Sequence, residues 1–477
     1  MAASRDDVDL CYLSATEAIE KFRARELSPV ELTRALIVRS DALNPALNVL
    51  TEVKRDTALA AARTAEARYA KPRGANLRPL EGVPVAIKDF HPVKGEITTF
   101  GSYAFQHYRA PHSAPTVDRL LRAGAILLSR TTTPELAHDG ITASPLWGVS
   151  RNPWDPKYSC GGSSGGAGAA IAAGMTTIAD GTDGGGSIRI PAAINGVFGY
   201  KPPFGRNPLD LEHPLESLLH YGPLTRSVAD AALMQNVMSG QHVGDICSLR
   251  EKIELPLVYP GIRGMRIAFS MNLGYFEVAE DVQKNTREAV RALKRLGATV
   301  DEVDLGWDYT VLDAWQTWWE GLFAALCGDL LPRWRHQMTP MVVKVLEAGQ
   351  RHDAVRLYKS NLTRGAMWQK LGPILEKYDA LVCPTCAVSC LDAEHDSMAA
   401  DYRINGKRVP AYVGWAMTYP FNLMAWCPVA SVPSGFGATG MPTGLQIVGR
   451  TFDDPTVFRI AAAFEKSRPW RGTRPKI

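Results

Sequence analysis

The sequence lacks any apolar run long enough to cross a membrane, although 46% of its residues are hydrophobic. It also lacks an excess of one charge: 53 Lys and Arg stand against 49 Asp and Glu, a net charge of +4. Such a balance is too mild for the basic surface typical of nucleic-acid binding. The segment Met1 to Asp7 contains no apolar signal-peptide core. We therefore expect a soluble, cytoplasmic protein that handles small molecules as a monomer or homodimer, with no nucleic-acid or membrane partner.

Cysteine is not enriched: the 8 residues in a chain of 477 are ordinary usage. Cys383, Cys386 and Cys390 precede His395 at a spacing compatible with a metal clip. However, residues 378–382 form an apolar strand pattern, which favours buried thiols over metal ligands. Nucleotide-binding motifs are also missing, because no Walker A lysine follows G-x-x-x-x-G and no G-x-G-x-x-G occurs. We expect neither a metal nor a cofactor.

Glycine is instead concentrated in two tracts that each contain serine. The first is Cys160-Gly161-Gly162-Ser163-Ser164-Gly165-Gly166, and the second is Gly181-Thr182-Asp183-Gly184-Gly185-Gly186-Ser187-Ile188-Arg189. Glycine lets backbone N–H groups crowd around one point, so a serine there is a candidate nucleophile beside an anion site. The small residues from Ala167 to Thr177 predict a short buried helix between the tracts. Two structural turns would explain the pattern less well, because turns seldom need so many glycines.

The first tract also fits G-x-S-x-G, the nucleophile elbow of α/β-hydrolases. That motif requires a strand before the serine and a later acid and histidine. The preceding segment, Arg151 to Cys160, contains two prolines and no apolar run, so it does not predict a strand. The elbow is therefore disfavoured, despite the downstream candidates His220 and His242.

A third block, Glu81-Gly82-Val83-Pro84-Val85-Ala86-Ile87-Lys88-Asp89, is an apolar run that ends in lysine. Together the three blocks resemble the amidase signature family, and the likeness continues through residues 152–156, 199–202, 222–230 and 440–450, which is nearly the whole chain. In that family a lysine, a serine held by a cis peptide bond and a second serine form the catalytic triad. The matching residues are Lys88, Ser163 and Ser187. The resemblance implies an α/β fold: one large α/β/α domain over residues 1–477, with a mixed central β-sheet flanked by helices.

The chemistry of amide cleavage agrees with this resemblance, since it needs a nucleophile, a base, an acid for the leaving amine and donors for the oxyanion. An isolated strand-end lysine more often reaches into water. At the mouth of a buried strand, however, Lys88 would lose solvation, and its neutral amine could act as a base. It would deprotonate Ser163, which would deprotonate Ser187 for attack on the carbonyl carbon and formation of an acyl-enzyme.

The second tract also predicts the groups around the nucleophile. Backbone N–H groups would hold the oxyanion, and the acidic and basic residues flanking the serine are expected to form a salt bridge that braces the loop. The expected donors are Gly184, Gly185, Gly186 and Ser187, and the expected bracing pair is Asp183 with Arg189.

Local patterns predict several elements. Capping boxes at Ser14-x-x-Glu17 and Ser28-x-x-Glu31 open two helices. Strands are predicted at Val83 to Ile87 and Ala125 to Leu128, with a helix from Thr116 to Arg122 between them. A β-α-β unit is also predicted: a strand from Met265 to Phe269, a helix from Asp281 to Leu296 that ends at Gly297, and a strand from Thr299 to Val303.

The stretch Trp307 to Trp368 departs from this alternation, because bulky apolar residues recur at helical spacing. Such a stripe is usually core. In the family, however, a variable helical region of this kind tends to line the substrate channel, which implies apolar or aryl amides, with ester or carbamate side activity. Trp315, Trp319 and the later Trp426 are the expected pocket residues. A membrane-facing cap of amphipathic helices is the alternative.

Another branch of the family, the amidase subunit of tRNA-dependent amidotransferases, has the same triad and releases ammonia from glutamine for a partner. Residues Pro208 to His220 depart from the Ser-Leu-Asp pattern expected there, and Phe421 to Pro428 are bulky where small residues are usual. Trp426 would fill the space of a small polar substrate. A non-catalytic relative would have lost a triad member. The sequence therefore favours a stand-alone hydrolase resembling aryl acylamidases or urethanases, with Gly184 as a weak indicator of unusual amides.

Overall fold

A mixed sheet of eleven strands runs through the residues described by the computed structural model, which are 5–71, 76–210 and 215–477. Two small hairpins account for the other strands in these residues. In chain order the strands are β1 Leu50–Val53, β2 Pro84–Lys88, β3 Ile126–Thr131, β4 Ala143–Ser144, β5 Gly148–Val149, β6 Ile178–Asp183, β7 Phe198–Lys201, β8 His220–Thr225, β9 Arg266–Phe269, β10 Thr299–Glu302, β11 Ala380–Pro384, β12 Arg403–Ile404, β13 Lys407–Arg408, β14 Val429–Phe436 and β15 Pro442–Gly449.

Helices flank this sheet. In the described residues they are α1 Arg5–Cys11, α2 Ala15–Ala24, α3 Pro29–Leu47, α4 Arg55–Tyr69, α5 Pro115–Arg122, α6 Gly165–Ala172, α7 Arg189–Asn195, α8 Val228–Met238, α9 Glu280–Arg295, α10 Thr310–Cys327, α11 Leu331–Trp334, α12 Pro340–Gly349, α13 Ala354–Lys377, α14 Pro420–Leu423 and α15 Asp454–Ser467.

The strand order is β1-β3-β2-β6-β8-β7-β14-β15-β11-β9-β10. The pairs β2–β3, β2–β6, β9–β10 and β9–β11 are parallel, and the others are antiparallel. The sheet is therefore mixed, which confirms the predicted fold class. Strands β2, β6 and β8 are buried along their whole length, as expected for strands covered by helices on both faces.

The topology places two distant segments at one edge of the sheet. Strands β2 and β6 are parallel neighbours, and Val85 pairs with Ile178. Their carboxyl ends therefore meet at the same edge, where sites in α/β proteins commonly form. Lys88 ends β2 and Asp183 ends β6, so the lysine block and the second glycine tract come together there.

Most of the local predictions are confirmed with small shifts at the ends. Both capping boxes are present, with Ser14 and Ser28 as N-caps. The predicted strands at 83–87 and 125–128 are β2 and β3, and the β-α-β unit is β9, α9 and β10, with β9 parallel to β10. The tryptophan-rich stretch becomes α10 to α13, between β10 and β11. Part of the predicted discriminating segment, residues 211–214, lies outside the described residues.

Candidate active site

The end of β2 brings Lys88 to the first serine. The Lys88 Nζ donates to the Oγ of Ser163 at 2.7 Å and to the Oγ1 of Thr182 at 2.7 Å. Lys88 is fully buried, and Ser163 is 1% exposed. Two hydroxyl oxygens therefore hold the amine in a fixed position away from bulk water.

The two glycine tracts bring Ser163 and Ser187 to one cavity. Ser163 precedes α6, and the peptide bond between Gly162 and Ser163 is cis. Ser187 lies in the turn between β6 and α7, and its backbone carbonyl accepts a hydrogen bond from the N–H of Ser164 at 3.1 Å. Both serines line the same cavity.

Small residues let the α6 backbone reach this position. A Cβ on Gly166 would lie 2.5 Å from the backbone nitrogen of Thr132, and one on Gly168 would lie 2.9 Å from the Asn195 side chain. Larger side chains at these positions would push α6 away from β3 and α7. Gly166 of the first tract and the neighbouring Gly168 are therefore required for close packing of α6.

Burial controls the charge of Lys88. Loss of solvation lowers the pKa of Lys88 well below its ordinary value, and the charges of Asp180 and Asp183 only partly oppose that shift. A buried lysine with a depressed pKa can carry a neutral amine, which is the form that accepts a proton.

Asp183 and Arg189, which flank Ser187 in the sequence, form a bidentate ion pair. The Nη2 and Nε of Arg189 donate to the two carboxylate oxygens at 2.8 and 2.9 Å. The carboxylate also accepts from the backbone N–H of Gly186 at 2.8 Å and from the Asn422 amide at 2.9 Å. Burial alone would raise the pKa of Asp183, but Arg189 and Asn422 outweigh it and hold the pKa well below its ordinary value.

Two tryptophans of α10 cover the glycine tract. The Trp315 Nε1 donates to the Gly184 carbonyl at 3.0 Å, and the Trp315 and Trp319 rings stack with centroids 5.3 Å apart. A Cβ on Gly184 would lie 2.6 Å from the Trp319 ring, and one on Gly185 would lie 2.6 Å from the Trp315 ring. The glycines are needed here because the indoles lie directly on the backbone.

The cavity above the serines has a volume of about 330 Å³ and is largely apolar. Its walls come from the loop after β2, the loop after β3, the ends of β6 and β8, and the second half of α10. Among the described residues, its aromatic and aliphatic walls are Phe90, Phe100, Phe105, Tyr108, Leu136, Leu219, Tyr221, Trp319, Leu322, Phe323 and Leu326. A volume near the lower end of the range for ligand pockets suits a small apolar molecule.

The three predicted pocket tryptophans have different positions. Trp319 lines the cavity, whereas Trp315 is 2% exposed and supports Gly184 and Gly185 from behind. Trp426 does not reach the cavity: it is 42% exposed and lines a separate groove with Trp368 and Phe452. The prediction for Trp426 is therefore corrected. It follows the short helix α14, and its ring lies 5.7 Å from the Arg364 guanidinium on the outer side of that helix.

The alternative sites do not assemble in the described residues. No strand leads into Ser163, and the ring nitrogens of His220 each lie 3.1 Å from a backbone carbonyl. Burial lowers the pKa of His220 to about 3. Cys383 lies in β11 and is buried. Residues 5–71, 76–210 and 215–477 hold no group of three potential ligands placed to bind a metal, and every helix in these ranges is too short or too polar to span a bilayer.

Sequence reasoning missed several residues of the site. Thr182, the second acceptor for Lys88, could have been identified from the sequence because it belongs to the second glycine tract. Asp180 and His91, which lie behind Lys88, carry no motif of their own. The cavity's aromatic residues come from separate loops and have no common periodicity, so only the folded chain brings them together.

The chain is similar in sequence and in structure to several known proteins. The family model described as Amidase matches residues 31–458. An acylamidase of Rhodococcus erythropolis is 37% identical over 474 residues, covering 98% of both chains. A glutamyl-tRNA(Gln) amidotransferase subunit of Chloroflexus aurantiacus is 32% identical over 500 residues, covering 98% of this chain and 99% of the relative. The crystal structure of a bacterial aryl acylamidase superposes with a TM-score of 0.89 at 31% identity, covering 97% of each chain.

Proposed function

Because the chain belongs to the amidase family and is a hydrolase of C–N amide bonds, we propose that Lys88, Ser163 and Ser187 form its catalytic triad. The observation that carries the proposal is the 2.7 Å contact between the Lys88 Nζ and the Ser163 Oγ. It lies at the base of a cavity that Ser187 also lines. In the proposed reaction, the two serines carry protons between the cavity and the buried Lys88 amine.

The first step forms an acyl-enzyme. The Ser187 Oγ attacks the amide carbonyl carbon and gives its proton to Ser163, which passes its own proton to the neutral Lys88 amine. The carbonyl π electrons move onto the oxygen. When the tetrahedral intermediate collapses, the C–N bond breaks and the proton returns through Ser163 to the leaving amine. Water then hydrolyses the acyl-enzyme by the same proton path.

Four backbone N–H groups of the second glycine tract are candidate oxyanion donors. The N–H of Gly186 is engaged with Asp183 at 2.8 Å, so we assign the oxyanion to the N–H groups of Gly184, Gly185 and Ser187. The Asp183–Arg189 pair keeps this loop in shape. Removing one donor from an oxyanion hole costs about 3–4 kcal/mol of barrier in other enzymes.

Apolar or aryl amides are the substrates that this cavity fits best, with esters and carbamates as side activities. Its walls are largely aromatic, and the helical region at about residues 307–368 supplies part of them through Trp319 and Phe323. An aryl ring can stack or pack edge-on against such walls. The similarity to an acylamidase and to an aryl acylamidase agrees with this substrate class.

Glutamine hydrolysis for an amidotransferase is the second candidate, because relatives of that function match at 32% identity. The cavity offers little for it. In the part of the chain that the structure describes, no arginine or lysine side chain lines the cavity, so the glutamine carboxylate would lack a cationic partner there. Trp426 does not line the cavity and so does not support a stand-alone hydrolase; the largely apolar cavity walls support it instead.

A covalent-trapping experiment tests the triad. Incubation with a p-nitrophenyl ester should release a burst of nitrophenol equal to one equivalent of enzyme, and mass spectrometry should place the acyl group on the peptide that contains Ser187. The Ser187→Ala variant is the control and should show neither signal. An adduct on another residue would overturn the assignment of the nucleophile.

A further inference from the structure

A histidine–aspartate pair lies directly behind Lys88. One carboxylate oxygen of Asp180 accepts from the backbone N–H of Lys88 at 2.7 Å, and the other lies 2.6 Å from the Nδ1 of His91. All three side chains are fully buried. Neither member of the pair lines the cavity, so the pair can affect catalysis only through its neighbours.

The geometry assigns the proton of His91. Its Nε2 is buried and has no hydrogen-bond partner among the described residues, and its ring packs edge-on against Tyr221 with centroids 4.2 Å apart. An imidazolium would leave a buried N–H donor without an acceptor, which is costly. A neutral ring that donates from Nδ1 to Asp180 satisfies the contact. Asp180 then keeps its full negative charge.

The other charges around Lys88 are largely paired. Asp180 and Asp183 in β6 act electrostatically on Lys88, and Arg130 in β3 donates to the Lys88 backbone carbonyl at 3.3 Å. Asp89 and His91 lie in the loop that follows Lys88. Arg189 pairs with Asp183 at 2.8 Å, and Arg130 lies 3.7 Å from Asp89. Among the described residues, Asp180 has no arginine or lysine side chain within 4.0 Å, although Arg130 lies near enough to interact over a longer distance. An ammonium on Lys88 would balance that charge.

We propose that Asp180, held by His91, is a positioning residue that stabilises Lys88 as an ammonium when Ser163 hands it a proton. The inference rests on the proposed function, in which that transfer accompanies attack by Ser187. Burial favours the neutral amine before the reaction, and the Asp180 charge favours the protonated state that forms during it. The contact with the Lys88 backbone also fixes the direction in which the side chain leaves β2.

Asp180→Asn tests this directly. The amide oxygen can still accept from the Lys88 N–H, and the amide NH2 can donate to Nδ1 of the other His91 tautomer, so the shape is kept and the charge is lost. That tautomer has a buried Nε2–H without an acceptor among the described residues, so we also expect some loss of stability. We expect kcat/KM for an aryl amide to fall about tenfold or more, with KM little changed. The ascending limb of its pH profile should move to lower pH by about one unit or more, because a nearby carboxylate favours the ammonium.

The matched control is Asp230→Asn. Asp230 is another fully buried carboxylate, and it accepts from the backbone N–H groups of Ala15 and Thr16 at 3.0 and 3.1 Å. It does not line the cavity, and it is not among the charges that shift the pKa of Lys88. This variant should lower the melting temperature while leaving the pH limb in place, which separates a general loss of stability from the proposed role.

A second variant decides the question if Asp180→Asn does not fold. His91→Phe combined with Asp180→Leu replaces both members of the pair by apolar groups, which is often tolerated where removal of one partner is not. It leaves the Lys88 N–H without its Asp180 acceptor, so the variant is used only if its melting curve and circular dichroism show a folded protein. It should show the same shift of the pH limb. A folded variant with an unmoved limb and kcat/KM within twofold of wild type would overturn the proposal. Failure of Ser187 to be acylated in the wild type would instead defeat the proposed function, and the inference with it.

Discussion

At the scale of single residues, the two adjacent hydroxyls of Ser163 and Ser164 have separate environments. Ser163 Oγ accepts from Lys88, whereas Ser164 Oγ exchanges hydrogen bonds with the backbone of Thr182 at 3.2 and 3.3 Å. Ser164 is fully buried and does not line the cavity. It therefore serves as a matched control for the nucleophile.

Ser187→Ala should lower kcat by about a thousandfold or more while the fold is kept, because only the attacking oxygen is removed. Ser164→Ala should lose about 1 kcal/mol of stability through its hydrogen bonds to Thr182 but retain most activity. Single-turnover kinetics, circular dichroism and melting curves check both variants. More than a few per cent of activity in Ser187→Ala, together with loss in Ser164→Ala, would move the nucleophile to Ser164.

Lys88→Ala and Lys88→Arg should both lose activity by about a hundredfold or more, because arginine keeps the charge but does not release its proton. Lys88 acts as a base only when neutral, and its pKa lies well below the ordinary 10.5. In the wild type, kcat/KM should therefore fall as pH drops through that lowered pKa and should level off above it.

Lys201 supplies the control for this pH profile. It is also fully buried, and burial lowers its pKa to about 7. It donates to the backbone carbonyl of Cys427 at 2.9 Å, away from the cavity lining. Lys201→Gln keeps a donor at this position and should leave the ascending limb unchanged. A limb that disappears in this variant, with Lys88→Arg still active, would assign the limb to Lys201.

The residues of the proposed triad could be selected from the sequence because each belongs to a local motif that is complete within a few positions. Thr182 was recognisable for the same reason. Phe90, Phe100 and Tyr221 could not be predicted as cavity walls, since each looks like any core aromatic until distant loops are folded together. A site residue can be predicted from the sequence here only when the residues that surround it in space are also close to it in the chain.

At the scale of elements, α10 lies over the second glycine tract and places two stacked indoles differently. The helical spacing of Trp315 and Trp319 predicted one shared face, and both lie on it. It did not predict that Trp315 would bond to the Gly184 carbonyl while Trp319 formed the cavity wall. That division depends on the position of α10 relative to β6, which amphipathic spacing does not determine.

Trp319→Phe should therefore change substrate preference. The smaller ring enlarges the cavity and loses the Nε1 hydrogen bond to Tyr412 at 3.0 Å, so stability should fall by about 1–3 kcal/mol. The ratio of kcat/KM for a naphthyl amide over a phenyl amide should rise several-fold. Trp426→Phe, at the 42% exposed position outside the cavity, is the control and should leave the ratio unchanged. Equal changes in both variants would contradict the assigned cavity wall.

At the scale of the whole molecule, the order of the eleven strands brings the lysine block to the second glycine tract. Local patterns predicted β2, β3 and the β9-α9-β10 unit, but not that β6 would lie beside β2 or that β8 would separate β6 from β7. Strand order depends on long-range pairing, which a single sequence does not encode locally. The family resemblance, rather than periodicity, supplied the mixed sheet.

The completeness of the site within one chain leads to the last prediction: the isolated protein should hydrolyse aryl amides without tRNA, ATP or a second protein chain. The proposed nucleophile, base and oxyanion donors all lie in this chain, and the described cavity walls are largely apolar and carry no arginine or lysine for the glutamine carboxylate. Esters should react at least as fast as amides where acylation limits the rate, because an alkoxide leaves more readily than an amine and depends less on protonation through Ser163. The measurement compares an aryl amide, its ester analogue and glutamine, with Ser187→Ala as the blank. Ammonia release from glutamine as the sole activity, or activity only after a partner is added, would favour the amidotransferase instead.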